Sequence, residues 1–146
     1  RDIEVIETEL MLADLASRQA GCRALDGLYG VGPVIAVAIW AELGDCRRFS
    51  SSRDAVRHTG LDVTVHSSDD QRAPGHLARQ GPPVLRWALC EAATCAARTT
   101  SPDHALYESV AERVGASRAT LTVARKLARR AHHILRALGD DAMAAA

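Results

Sequence analysis

Hydrophobic positions recur at helical spacing along most of the chain, with one long interruption. Ile3, Ile6, Leu10 and Ala13 follow a 3-4-3 spacing with Leu12 and Leu15 beside them, which predicts an amphipathic helix over 2–18. That spacing is also the seam of a coiled coil, so packing on its own domain and pairing with another copy both fit. Leu25 and Leu28 then precede Gly30-Val31-Gly32-Pro33 and a nearly unbroken apolar run to Leu43. Pro33 suits a first helical turn, having no N–H to lose, and Gly44 is placed as the stop. Ser50-Ser51-Ser52 offers an N-cap for a short helix through His58, stopped by Gly60. Pro82 opens a helix patterned by Leu85, Leu89 and Ala92. Ser101-Pro102-Asp103 reads as an N-cap with proline in the first turn of a helix ending near Gly115. A last helix over 117–138 has Leu121, Ala124, Leu127, Ala128, Ala131 and Leu135 on its apolar face. The expected fold is mainly α: a connector helix over 1–22, a helical domain over 23–139 and a tail over 140–146.

The interruption lies between Gly60 and Pro82. Leu61, Val63 and Val65 alternate with Asp62, Thr64 and His66, which predicts a short β segment at 61–66. A long basic loop is expected beyond it, carrying Ser67, Ser68, Arg72, Gly75, His76, Arg79 and Gly81, with Arg86 just inside the next helix. Connections longer than about 12–15 residues without structure of their own are usually functional or disordered. These residue types can grip phosphate beside a hydroxyl nucleophile. A loop serine is nevertheless more often an inert surface group, and a loop histidine a solvated one.

Composition narrows the class. The only aromatics are Tyr29, Trp40, Phe49, Trp87 and Tyr107, so the core must be mainly Ala, Leu and Val, which favours close-packed helices. No apolar run approaches the length of about 18 residues that a membrane span requires. The opening RDIEVIETEL is acidic where a secretion signal is basic, and it starts at Arg, so a piece of a longer protein is expected. Cys22, Cys46, Cys90 and Cys95 form no CxxC pair and read as buried free thiols of a reducing cytoplasm, with no metal site.

The net charge of zero hides an asymmetry. Residues 1–45 hold three Arg against eight acids, whereas residues 46–136 hold fifteen Lys/Arg against eight acids. A basic body implies an anionic partner. Two elements fit one. In Gly30-Val31-Gly32 the glycines let a backbone approach phosphate, ahead of the next helix's free N–H groups, as in a helix-hairpin-helix element; a purely structural turn is the alternative. The last helix carries Arg118, Arg125, Lys126, Arg129, Arg130 and Arg136 without one acid. It is read as phosphate-facing, with Arg125 and Arg129 as contacts, against the alternative of a merely solvated face.

From Gly30 to Leu138 the chain resembles the C-terminal domain of the bridge-RNA-guided insertion-sequence transposases, the IS one-ten family related to the Piv DNA invertase. The residues that carry the resemblance are Gly30-Val31-Gly32-Pro33, Gly44-Asp45, Arg48-Phe49-Ser50, Gly60-Leu61, Ser68, Gly75, Gly81 and Leu85-Arg86. Asp69 stands where many members have glycine, Val63-Thr64 replaces Pro-Ser, and proline follows Gly81 where asparagine is usual. The resemblance implies a nucleophilic Ser68, with Ser67 the alternative. Arg72 and Arg79 are candidates to neutralise the phosphate, and His76 and Arg86 join the nucleic-acid contacts. It further implies DNA and a guide RNA as partners and a RuvC-like N-terminal domain that binds divalent metal (Mg), with no cofactor in this chain. The first helix is expected to serve a homo-oligomer in the bacterial cytoplasm, at the nucleoid and away from membranes. This segment by itself should be inactive. The alternative is a non-catalytic helix-hairpin-helix binding module or a decayed remnant. A structural oligomerisation bundle is a third reading, and it leaves the acid-free last helix unexplained.

Overall fold

A computed structural model describes residues 2–64, 67–68, 71–72, 76–77 and 81–145, with positions 63–77 of that set given by backbone alone. Among the described residues the chain is mainly helical. In order come α1 (Ile3–Arg18), α2 (Ala20–Leu25), α3 (Pro33–Leu43), α4 (Ser52–Thr59), α5 (Pro83–Thr94), α6 (His104–Val114) and α7 (Ala116–Leu138). Four two-residue strands lie between α4 and α5: β1 (Val63–Thr64), β2 (Ser67–Ser68), β3 (Gln71–Arg72) and β4 (His76–Leu77).

The helix boundaries follow local chemistry. The Asp2 side chain accepts the Glu4 N–H to start α1, and Ser51 accepts the Asp54 N–H to start α4. Pro33 occupies the first turn of α3, and Gly44 ends that helix at φ 54°. Gly60 ends α4 in the left-handed region at φ 76°, which a side chain would resist.

Helix α7 is the spine, packing on α2, α4, α5 and α6, while α3 joins α1 and α2 to α5. Helices α5 and α7 pack together, and Ala88, Ala92 and Ala93 of the one and Ala124, Ala128 and Ala131 of the other are all buried. Leu25, Ile39, Leu43, Leu61, Leu85, Leu89, Leu127 and Leu135 fill the remaining space and are fully buried. Each such side chain contributes roughly 1.5–3 kcal/mol by leaving water.

Three expectations change. The expected β segment at 61–66 begins only at Val63, because Leu61 turns into the core instead of continuing the alternation; Val65 and His66 lie outside the described residues. The expected irregular loop contains paired strands. β1 pairs antiparallel with β4 (Val63 with Leu77, Thr64 with His76), and β2 pairs with β3 (Ser67 with Arg72, Ser68 with Gln71). Two residues separate β1 from β2 and three separate β3 from β4, so the return arm carries one residue more. Finally, α6 begins at His104, with Pro102 outside it and Asp103 at the cap position. Ser101 Oγ accepts the Asp103 N–H, and the Asp103 carboxylate, which could have capped its own helix, is taken by α7.

Both ends of the chain pack onto the body. In α1, Leu12, Leu15 and Ala16 lie against the core, while Ile3 and Leu10 stay 72% and 65% exposed. Residues 139–145 return to α2 and α3: Trp40 Nε1 donates to the Ala142 carbonyl at 2.7 Å, and the Ala20 N–H donates to that of Ala144. All four cysteines are free; Cys22 and Cys46 are buried, Cys90 and Cys95 only half-buried. Burial pushes the Cys22 and Cys46 thiols up to about 11. Among the described residues no helix is long and apolar enough to cross a membrane.

Candidate nucleic-acid interface and serine arm

The chain leaves the helical body after Leu61 and rejoins it at Gly81, both at the end of α4, and the four short strands described between these two roots are called the arm. On the outgoing side, Thr59 Oγ1 donates to the Val56 carbonyl and accepts the Leu61 N–H at 3.1 Å, which fixes the turn through Gly60. Arg125 Nη1 then reaches across from α7 to the Leu61 carbonyl at 3.3 Å. Asp62 lies 3.4 Å from Arg57 Nε. On the returning side, Gly81 is pressed against backbone. A Cβ there would lie 2.1 Å from the His58 carbonyl oxygen and 2.4 Å from the Thr59 carbonyl carbon. Arg86 Nη1 donates to the Gly81 carbonyl at 2.5 Å.

The expected site residues fall in three groups. Ser68 is in β2, paired with Gln71 with two residues between them, so it ends its strand of the ladder. Arg72 is in β3 opposite Ser67, and His76 is in β4 opposite Thr64. Arg79 and His66 lie outside the described residues. The backbone register thus brings Ser67, Ser68 and Arg72 into one two-strand ladder.

Gly30, Val31 and Gly32 form the second group, in the turn between α2 and α3. The two glycines differ. Gly30 has φ 84° and sits against α5, where a Cβ would lie 2.5 Å from the Ala92 carbonyl oxygen. Packing alone therefore requires glycine there. Val31 is buried. Gly32 is the cap residue of α3 with no side-chain cap, and a Cβ would meet nothing within 4 Å. The open approach to the first turn of α3 is at Gly32.

The third group is the basic face of α7, most of whose cations have partners within the chain. The helix has no acid of its own, yet four of its six cations are spent inside the fold. Arg125 holds Leu61, Arg136 Nη1 donates to the Phe49 carbonyl at 2.9 Å, and Lys126 and Arg130 both grip Asp103. Arg118 and Arg129 are exposed and make no ion pair among the described residues. The cations run acid-free along α7 because their partners lie on other elements. Burial, with Arg129 alongside, makes the charge on Arg125 costlier to hold than an ordinary guanidinium.

Sequence reasoning passed over Thr59, and it read Gly81 as a loop glycine when its role is close backbone contact. Neither residue carries a signal at the level of composition or spacing. Among the described residues, no three His, Cys, Asp or Glu side chains come together in a way that could hold a metal ion.

Comparison with known proteins places this geometry. Over 130 residues the chain is 27% identical to the transposase for insertion sequence element IS1111A of Coxiella burnetii, a match covering 86% of this chain and 36% of that protein. Over 104 residues it is 30% identical to a probable family 20 transposase of Pseudomonas aeruginosa, covering 68% of this chain and 31% of that protein. The chain thus spans about a third of the length of these relatives. A family profile described as Transposase IS116/IS110/IS902 family matches residues 22–108, which include the Gly30–Pro33 turn, both roots of the arm and the arm itself. The match covers more than half of the chain, and the chain belongs to the IS116/IS110/IS902 transposase family.

Proposed function

We propose that this chain is the part of an insertion-sequence transposase that binds DNA and presents Ser68 as the nucleophile for strand cleavage and exchange. The observation that supports it most is the position of Ser68 beside the turn of a paired hairpin, within the segment that matches the transposase family. A nucleophile at a hairpin turn can enter a DNA groove, and ladder pairing restrains the backbone that aims it.

The chemistry balances without a nucleotide cofactor. The serine oxygen attacks the phosphorus of a phosphodiester, the bond to the leaving DNA oxygen breaks, and the hydroxyl proton passes to a base. A serine–DNA phosphodiester and a free DNA hydroxyl result. Attack by a DNA hydroxyl on that link reverses the step and seals a new strand junction. Serine needs activation and in-line alignment, and Arg72 and Arg79 would neutralise the charge that builds on the phosphate oxygens. Arg129 and the Gly32 opening would hold the flanking backbone.

A RuvC-like domain, its divalent metal (Mg), a guide RNA and pairing of copies through α1 belong to the same proposal. Among the described residues no three His, Cys, Asp or Glu side chains come together to hold a metal ion, and the proposal assigns the ion to the RuvC-like domain. The exposed apolar positions of α1 support pairing with another copy. The proposal is tested by trapping a denaturation-resistant serine–DNA link and asking whether Ser68→Ala abolishes it. Salt-sensitive DNA binding that is indifferent to Ser68→Ala, with no link formed, would support a non-catalytic binding module instead.

A further inference from the structure

The strand-paired arm is held at both roots by arginine side chains from two different helices. Arg125 comes from α7 and takes the Leu61 carbonyl, while Arg86 comes from the first turns of α5 and takes the Gly81 carbonyl. Both bonds are part-buried and charge-assisted, the kind that costs most to lose. Around them the roots leave little play. Thr59 satisfies the Leu61 N–H, Gly60 turns the chain through a left-handed conformation, and Gly81 sits in backbone contact with His58 and Thr59.

We propose that Arg86 and Arg125 are positioning residues for the serine arm: each fixes one root through a backbone carbonyl, and neither serves as a phosphate contact. This rests on the reading of Ser68 for its catalytic meaning, but the mechanical claim stands apart from it. A guanidinium is suited to the task because it stays charged and its planar fork can hold a carbonyl while keeping a second bond. Arg125 does so, with Nη2 donating to Thr122 Oγ1 at 3.3 Å. Lysine in its place keeps the charge and loses the fork.

The test uses the whole 146-residue chain. Amide hydrogen exchange is measured for the strand residues of the arm and for the interiors of α5 and α7. Duplex DNA of arbitrary sequence serves as the binding probe over a salt series. In Arg125→Ala and in Arg86→Ala, exchange in the arm is expected to quicken by about tenfold or more, with α5 and α7 unchanged. Arg125→Lys should recover part of the protection. The slope of log affinity against log salt should match the wild type.

Unchanged arm exchange in both alanine variants would overturn the inference. So would equal acceleration throughout α7, which would mark a general stability role. A slope shallower by about one phosphate with the arm undisturbed would make the arginine a DNA contact. The Ser68 reading fails by a different result, the absence of a serine–DNA link when the wild-type chain is supplied with the RuvC-like domain, guide RNA, target DNA and divalent metal, while arm exchange in the arginine variants responds as expected.

Discussion

Arg130 clasps Asp103 with both arms of its guanidinium, Nη1 to Oδ2 at 2.6 Å and Nη2 to Oδ1 at 2.9 Å, and Lys126 Nζ adds a third contact at 3.0 Å. The Asp103 side chain is 3% exposed, so this triad ties the start of α6 to the middle of α7 from inside the fold. Burial pushes the Asp103 carboxyl up, but the hydrogen bonds from Arg130 and Lys126 outweigh it and hold the group below the ordinary carboxylate range.

Asp103→Ala should therefore destabilise the chain by about 2–4 kcal/mol, seen as a lower urea midpoint. The figure sits toward the low end for a broken buried pair because Arg130 and Lys126 keep 34% and 41% exposure and regain water. The triad's contribution is present above the unfolded carboxylate value near 3.8 and is lost as pH falls through the lower folded value. Asp103→Asn should flatten that acid limb. A urea midpoint unmoved by Asp103→Ala would contradict this account of the α6–α7 joint.

His132 gives a second pH dependence, in a different window. Its ring is 1% exposed, Nδ1 has no hydrogen-bond partner among the described residues, and it meets the Phe49 ring edge-on at 6.0 Å. Burial, then His133 and Arg136, lower its affinity for a proton below the ordinary 6.5. His58, on the other side of Phe49 at 5.4 Å, is lowered by burial and Arg48. The unfolded chain binds these protons more readily, so stability is full above pH 6.5 and declines as pH falls toward the folded values. Thermal midpoints measured from pH 8 to pH 5 should fall, and His132→Leu should remove part of that slope. An identical slope in the variant would show that His132 stays neutral for no energetic reason.

The two glycines of the α2–α3 turn should separate folding from binding. Gly30→Ala places a Cβ against the Ala92 carbonyl at a positive φ, and should cost about 2 kcal/mol or more of stability. Gly32→Ala meets open space, so stability should stay within about 0.5–1 kcal/mol of the wild type. If the opening at Gly32 admits a phosphate, DNA affinity should nevertheless drop in that variant. Denaturant titration beside a binding isotherm checks both. Gly32→Ala that binds DNA like the wild type would remove the turn from the interface.

What the sequence makes legible here is local. Ser51, Pro33, Gly44 and Gly60 announce the helix ends because capping and turn chemistry act within a few residues. Most of the misses are long-range. Arg125 and Arg136 look like free cations on an acid-free helix, yet their carbonyl partners lie 64 and 87 residues away. Trp40 holds the C-terminal turn from 102 residues away, a contact no window of sequence contains. Ser67 through Arg72 reads as loop because a two-residue strand is too short for alternation to declare itself. In the candidate site, Ser68 was reached through the family resemblance, and the clamps at Leu61 and Gly81 required the fold.

The most direct test of the central claim is covalent. The chain is joined to the RuvC-like domain proposed for its full-length protein and incubated with guide RNA, target DNA and divalent metal, beside Ser68→Ala and Ser67→Ala. The account predicts a protein–DNA link that survives denaturation, persists in Ser67→Ala and is absent from Ser68→Ala. A link that persists in Ser68→Ala, or none in the wild type while salt-sensitive binding is intact, would contradict it.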